Sequence, residues 1–180
     1  MTQPPAFLLE DGRGEQYAFP GSRPALVCFV KEDCPTCNDV MPLIEAAWGG
    51  LGENVDFFVC GQTEAGNRVL TENHGLTVPL LDDSSLKVSF AWDIEIVPTL
   101  VVVDTDGSAR HRCMGFEREE WRQALADLAE TSGAPQPQID WPAFPALRPG
   151  CGSRSADPTI AARLQAEAEN SPLRARRIDI

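Results

Sequence analysis

Positive charge is scarce in this sequence relative to its opposite: 15 Lys and Arg stand against 27 Asp and Glu, a net charge of -12. So acidic a chain is repelled by nucleic-acid phosphates and anionic lipid headgroups, and neither is expected as its main partner. Long apolar runs are missing too, and no stretch is long enough to cross a bilayer. The opening "MTQPPAFLLEDGRGEQ" has no basic segment, and Glu10 and Asp11 interrupt its only apolar run, "AFLL". That is not a signal-peptide pattern, so a cytoplasmic location is expected, where cellular reductants keep most thiols reduced. The two histidines, His74 and His111, lie far apart with no metal-ligand spacing, and surface or helix-end roles are expected for them. No internal repeat is evident. With 43% hydrophobic and 23% charged residues, most of the chain has enough apolar material to fold.

Six cysteines are what the sequence does have. In a reducing compartment they are more plausibly catalytic, metal-binding or buried than parts of a disulfide framework. The length, 180 residues, suits one well-packed domain with a remainder. Residues 1–132 carry 9 Lys and Arg against 22 Asp and Glu, net -13, whereas residues 133–180 carry 6 against 5, net +1. The change falls in the Pro- and Gly-rich stretch "TSGAPQPQIDWPAFPALRPG". A domain over 1–132 and an extension over 133–180, laid over or beside it, are therefore expected.

Along the chain, "PALVCFV" reads as a buried strand, and "CNDVMPLIEAAWGG" as a helix kinked at Pro42 and stopped by Gly49 and Gly50. "NVDFFVC" is a second strand, followed by a helix over "TEAGNRVLTENHG" that ends at Gly75. "LTVPLLDD" is a short extended stretch, and "SSLKVSFAWDI" a helix capped by Ser84 or Ser85. "IVPTLVVVDTDGSARHRCMGF" reads as a hairpin, and "EREEWRQALADLAE" as an amphipathic helix with Trp121, Leu125 and Leu128 on one face. Two βα units, a hairpin and a last helix predict an α/β fold, a mixed central sheet flanked by helices. In the extension, Asp157 and Pro158 open a helix over about 157–169, with Ile160, Leu164 and Ala168 in a stripe.

The pair in "KEDCPTCNDV", Cys34 and Cys37, sits where the first strand ends and the first helix begins. A redox pair, part of a metal site and two incidental thiols are the alternatives, and the position favours the first. A thiol at a helix N-terminus is acidified by the helix dipole and by free backbone N–H groups. A second thiol one turn inside can attack a mixed disulfide and release the bound group. Glu32 and Asp33 oppose ionisation of Cys34 and Lys31 offsets one of them, so the balance depends on geometry that the sequence does not give.

The strand, "CPTC", Pro42 in the helix, and "VPT" at 97–99 opening the hairpin together resemble the thioredoxin superfamily. Within it, "FLLEDGRGEQYAFPGSRPALVCFVKEDCPTC" and "HGLTVPLLDDSSLKVSFAWDIEIVPTLVVVDTDG" are similar to the TlpA and redoxin branch, over about residues 6–132. That resemblance implies a thioredoxin-like fold and a thiol-disulfide oxidoreductase. Cys34 and Cys37 would be the catalytic pair, and Pro98, in a cis peptide, would face them. Val97 would pair its backbone with an incoming substrate chain. It implies no organic cofactor and no metal. The implied partners are a disulfide-containing protein or small thiol, and a protein that recycles the pair by reduction or oxidation. The sequence departs from thioredoxin at Cys28, where a buried Asp is usual, and at Asp33, where an aromatic residue is usual. "FVKEDC" also lacks the Thr and Pro that precede a peroxidatic cysteine.

Cys28 and Cys60, on predicted strands, are expected in the core, and Cys113 in the core or on the sheet surface. Cys151, in "RPGCGSRS", lies between glycines, and Arg148 and Arg154 nearby would favour its thiolate. It is a candidate third redox thiol, able to resolve a disulfide at Cys34 or to pair with Cys113. Trp48, Trp92 and Trp121 are expected in the core, and Trp141 as an anchor for the extension. "EREE" and "LDDSS" read as solvated helix starts, and the basic tail "RARRIDI" as disordered or meeting an acidic surface of another copy. Two rival functions are a soft-metal module holding Cu(I) or zinc on Cys34, Cys37 and a third thiol such as Cys151, and an adaptor in which the pair has no redox role. The sequence does not specify the oligomeric state.

Overall fold

A computed structural model describes residues 3–171 of the chain. The basic tail "RARRIDI" lies outside the described residues. The core is a five-stranded sheet built from β3 (Ala25–Val30), β4 (Asp56–Gly61), β5 (Leu80–Asp82), β7 (Thr99–Val103) and β8 (Ala109–Met114), in the order β5-β4-β3-β7-β8. The β3–β4 and β4–β5 pairs are parallel, while β3–β7 and β7–β8 are antiparallel. This is the mixed sheet that the alternation of elements predicts. Every residue of β3 and β7 is buried, so the centre of the sheet is covered on both faces, as an uninterrupted apolar run requires.

Four helices belong to this framework: α1 (Pro35–Leu51), α2 (Glu64–His74), α3 (Lys87–Ala91) and α4 (Arg118–Ser132). Trp121, Leu125 and Leu128 of α4 are fully buried. An N-terminal hairpin, β1 (Phe7–Glu10) with β2 (Gln16–Phe19), docks through aromatic contacts. Phe7 meets Phe58 at 5.3 Å between ring centroids, and Phe19 meets Trp92 at 5.1 Å. Trp92 is buried with them, whereas Trp48 is only half-buried.

Two helix boundaries differ from the sequence expectation. Gly49 and Gly50 do not stop α1, which continues to Leu51 and is capped by Gly52. A Cβ on Gly50 would lie 2.8 Å from Cα of Pro137, so this glycine admits a close backbone approach rather than ending a helix. Pro42 lies exposed within α1, which is one continuous helix. At α3 the N-cap position is Leu86 rather than Ser84 or Ser85, although the Ser85 hydroxyl accepts the Lys87 N–H at 3.4 Å. The Asp83 carboxylate accepts the backbone N–H groups of Val88 and Ser89, at 3.1 and 2.8 Å, and the Ser89 hydroxyl at 2.7 Å.

Asp83 is thus no part of a solvated acidic run. It is completely buried, and burial raises its carboxyl above the usual range despite the hydrogen bonds. Replacing Asp83 by Ala leaves two buried N–H groups without an acceptor and should destabilise the fold by about 3 kcal/mol. A lowered urea midpoint with an unchanged slope would register that loss; an unchanged midpoint would refute the capping role.

After α4 the chain crosses back over the framework. A 3-10 turn at Trp141–Ala143 leads to β10 (Leu147–Arg148), which pairs with β9 (Phe116–Glu117). Then β11 (Cys151–Gly152) pairs with β6 (Ile96–Val97). A second 3-10 turn at Arg154–Ala156 precedes α5 (Pro158–Glu169), capped by Asp157. Of the expected α5 stripe only Leu164 is buried; Ile160 is half-buried and Ala168 exposed. Trp141 is half-buried against the core. Among the described residues no helix is long and apolar enough to cross a membrane.

Candidate active site

Cys34 is the N-cap of α1, in extended backbone, with Pro35 as the first helical residue. Its Sγ accepts the Cys37 backbone N–H at 3.3 Å. It also lies 3.5 Å from the carbonyl oxygen of Val97, to which the protonated thiol donates. The Val97–Pro98 peptide, like Phe19–Pro20, is cis. The turn before α1 is held by Asn38, whose Nδ2 donates to the carbonyls of Glu32 at 2.8 Å and Cys34 at 3.0 Å. His74 meets the Asn38 Oδ1 at 2.9 Å through Nε2. His111 Nε2 lies 2.8 Å from the Asp127 carboxylate, away from the cysteine pair.

Hydrogen bonding sorts the thiols into donors and an acceptor. The Cys37 thiol donates to Cys34 and is the largest influence on it; the Cys151 thiol and the backbone N–H groups of Cys37 and Thr36 act the same way. Burial opposes ionisation but does not outweigh them, and the Cys34 thiol is lowered to about 5. Cys37 moves far upward, first through burial and then through its bond to Cys34. The carboxylates beside Cys34 do not decide the outcome, because each has a cation of its own. Arg154 reaches Glu32 at 2.7 Å and Asp33 at 3.5 Å, and Lys31 reaches Asp33 at 3.4 Å.

Cys151 is correspondingly not the thiolate that its arginine neighbours suggested. Arg148 pairs with Asp39 at 3.0 Å and Arg154 with the acids before Cys34, so neither acts on the Cys151 sulfur. Its thiol is raised, chiefly because it donates to Cys34. Of its two suggested partners the structure brings it to Cys34. Cys113 sits in β8 opposite Leu100, buried, with its thiol pushed up to about 12 by burial and by the carboxylates of Glu120 and Glu117. Cys28 and Cys60 are completely buried. Cys34, Cys37, Val97, Pro98 and Cys151 thus converge. Among the described residues no cluster of three His, Cys, Asp or Glu side chains has the spacing of a metal site.

Several residues that hold the site give no sequence signal. The Thr36 hydroxyl, inside the CxxC, donates to the carbonyl of Pro149 at 2.6 Å. Gln62, just after β4, is buried; its Nε2 donates to Ser89 at 3.3 Å and Ser153 at 2.6 Å, and its Oε1 accepts the Arg154 N–H at 2.9 Å. Only a contact across some 90 residues of sequence reveals that role. Gln62→Ala should cost about 1–3 kcal/mol through these lost bonds. It should also speed proteolysis beyond residue 132 relative to the framework. Equal protease sensitivity in both proteins would contradict it.

A cleft of about 700 Å³ lies elsewhere, between the N-terminal hairpin, α2 and the segment leading into β5. Cys34 instead lies beside a strand edge, with none of its surface exposed.

The sequence model described as the AhpC/TSA family matches residues 2–112. No curated protein matches the chain. Among solved structures, an uncharacterized conserved protein from Geobacillus kaustophilus aligns with 18% identity over 84% of this chain and 89% of its own, at a TM-score of 0.64. A secreted Mycobacterium tuberculosis disulfide oxidoreductase aligns with 17% identity over 68% of this chain and 96% of its own, at 0.58. The thioredoxin domain of a thiol-disulfide oxidoreductase from Bacteroides vulgatus aligns with 16% identity over 70% and 94%, at 0.58. At these identities the likeness is one of fold, and that fold is thioredoxin-like.

Proposed function

The chain belongs to the AhpC/TSA family, and on that footing we propose that it is a thiol-disulfide oxidoreductase in which Cys34 is the nucleophile and Cys37 resolves the mixed disulfide. The observation that carries this reading is the unequal pair itself: one thiol acidified to about 5 at a helix N-terminus, the other buried, raised and hydrogen-bonded to it. Cys34 attacks one sulfur of a substrate disulfide, forming a mixed disulfide and releasing the other sulfur as a thiolate. Cys37 then loses its proton and attacks the Cys34 sulfur, which expels the second substrate thiolate. Two enzyme thiols become one disulfide, and the substrate disulfide gains two electrons. The exchange runs in either direction, as the potentials of the partners dictate. The electrons travel on protein sulfur, with no organic cofactor.

The place of Cys34 beside a strand edge, rather than in the floor of a cleft, favours a disulfide carried on an extended segment of a partner protein over a compact small molecule. Val97 and Pro98 are the backbone that such a segment meets. The Thr and Pro that a peroxidatic cysteine would have are absent from "FVKEDC", which favours disulfide exchange over peroxide reduction. A cytoplasmic location belongs to the same proposal, and fractionation of cells expressing the full chain tests it.

The direct test is catalysed reduction of the insulin disulfides by dithiothreitol. The wild-type protein should shorten the lag before insulin precipitates. If neither that reaction nor the oxidative refolding of a reduced disulfide protein is accelerated, the oxidoreductase reading fails.

A further inference from the structure

Because Cys151↔Val97 and Gly152↔Ile96 are paired, the edge beside Cys34 is already occupied by the chain's own strand β11. The fit there is close. A Cβ on Gly150 would stand 2.2 Å from the Ile96 side chain and 2.7 Å from the Val97 carbonyl oxygen, so only glycine admits this approach. Fastenings surround it on both sides: Thr36 to Pro149, Arg148 to Asp39, Arg154 to Glu32, and Ser153 to both Gln62 and the Glu95 carbonyl. Between them, Cys151 stands opposite Val97, whose carbonyl oxygen lies 3.5 Å from the Cys34 sulfur. Each strand pairing in this strap is only two residues long and lies outside the five-stranded central sheet.

We propose that Cys151 is a third redox thiol of the reaction, and that residues 147–152 are an internal exchange partner occupying the position a disulfide-bearing chain must take beside Cys34. This rests on Cys34 being the nucleophile. After Cys34 has formed a mixed disulfide with substrate sulfur, the strap returns and Cys151 gives up its proton. Its sulfur attacks Cys34, forming a Cys34–Cys151 disulfide, and the substrate leaves as a thiolate that takes up the proton. Cys37 can then attack Cys34 in turn, which transfers the disulfide to Cys34–Cys37 and returns Cys151 to the thiol, with no net change in electrons. Cys151 is the half-exposed thiol at the rim, whereas Cys37 is wholly buried, so the rim thiol meets the mixed disulfide first.

The test uses the full chain and oxidised glutathione. Reduced Cys37→Ser protein is treated with it, freed of excess reagent, and followed by intact mass and mapped peptides. The expected product is a Cys34–Cys151 cross-link, with the glutathione adduct at Cys34 only transient. In Cys37→Ser/Cys151→Ser the adduct should persist, with a lifetime at least about tenfold longer, because an intramolecular thiol acts at a high effective concentration. A lasting adduct in Cys37→Ser, with Cys151 still open to alkylation, would overturn the proposal and leave Cys34 as the nucleophile. Absence of any adduct at Cys34 in the double variant would overturn both readings. Gln62→Ala in the Cys37→Ser background keeps Cys34 and Cys151 but loosens the strap, and should slow cross-linking several-fold. An unchanged rate there would rule out delivery of the thiol by the docked strand.

Discussion

Cys34→Ser should lower disulfide exchange by roughly a thousandfold or more, since a hydroxyl at this position is not ionised at neutral pH and does not attack a disulfide. The companion measurement is the pH dependence of Cys34 alkylation in reduced protein. A thiol lowered to about 5 reacts as thiolate across the neutral range, so the rate should rise with pH to a plateau, with its midpoint at about 5. An ordinary thiol would give a midpoint near its usual value of 9.0. Because the folded state lowers this group, its ionisation stabilises the fold fully above the unfolded value, and that stability is lost as pH falls through about 5. The difference in melting temperature between reduced wild type and Cys34→Ser should therefore shift in favour of wild type as pH rises from 5 to 9. A difference independent of pH, together with a midpoint near 9, would mean that Cys34 is not acidified.

Gly150→Val should produce the largest change in access to the site. Its first carbon alone collides with the Val97 carbonyl and the Ile96 side chain. Overpacking of that kind costs about 1–3 kcal/mol, comparable to the hydrogen bonds and the two ion pairs, one exposed and one half-buried, that hold the strap. The strap should lift while the central sheet, which it does not enter, stays folded. Cys34, now fully covered, should then react with iodoacetamide about tenfold faster or more near neutral pH, where it is already thiolate. Its midpoint should also move upward, because the hydrogen bond from Cys151 is one of the influences lowering it. The same rate and midpoint as wild type, with an unchanged melting temperature, would show that the edge has more room than this packing implies.

Much of the framework was legible in the sequence because short-range patterns report burial directly. "ALVCFV" is apolar without interruption and forms a strand covered on both faces. Thr63 and Gly75 bracket α2 as N-cap and left-handed C-cap. Other boundaries were misread where one residue type serves two purposes. Gly50 looked like a stop signal, yet it makes room for Pro137. Asp83 looked like one acid in a solvated run, yet its carboxylate is the buried cap of α3. For Gly50 the deciding partner, Pro137, lies far along the chain; for Asp83 it is a pair of backbone N–H groups five and six residues on, beyond the spacing at which an N-cap is read from sequence.

The sequence by itself determined the α/β framework and the cysteine pair at a strand-helix junction, because local hydrophobic period and turn chemistry encode them; the approach of "VPT" to the pair was implied only by the resemblance to the thioredoxin superfamily. Only the tertiary structure decided the electrostatics and the occupancy of the site. Glu32 and Asp33 stand next to Cys34 in sequence, but the cation that pairs with both, Arg154, comes from more than 120 residues further on. Cys151 seemed to be the thiol that its arginines would ionise; folding gives those arginines to other acids and makes Cys151 a hydrogen-bond donor to Cys34. Charge pairing and strand pairing at such separations depend on where the chain returns in space, and no local pattern in the sequence carries that information.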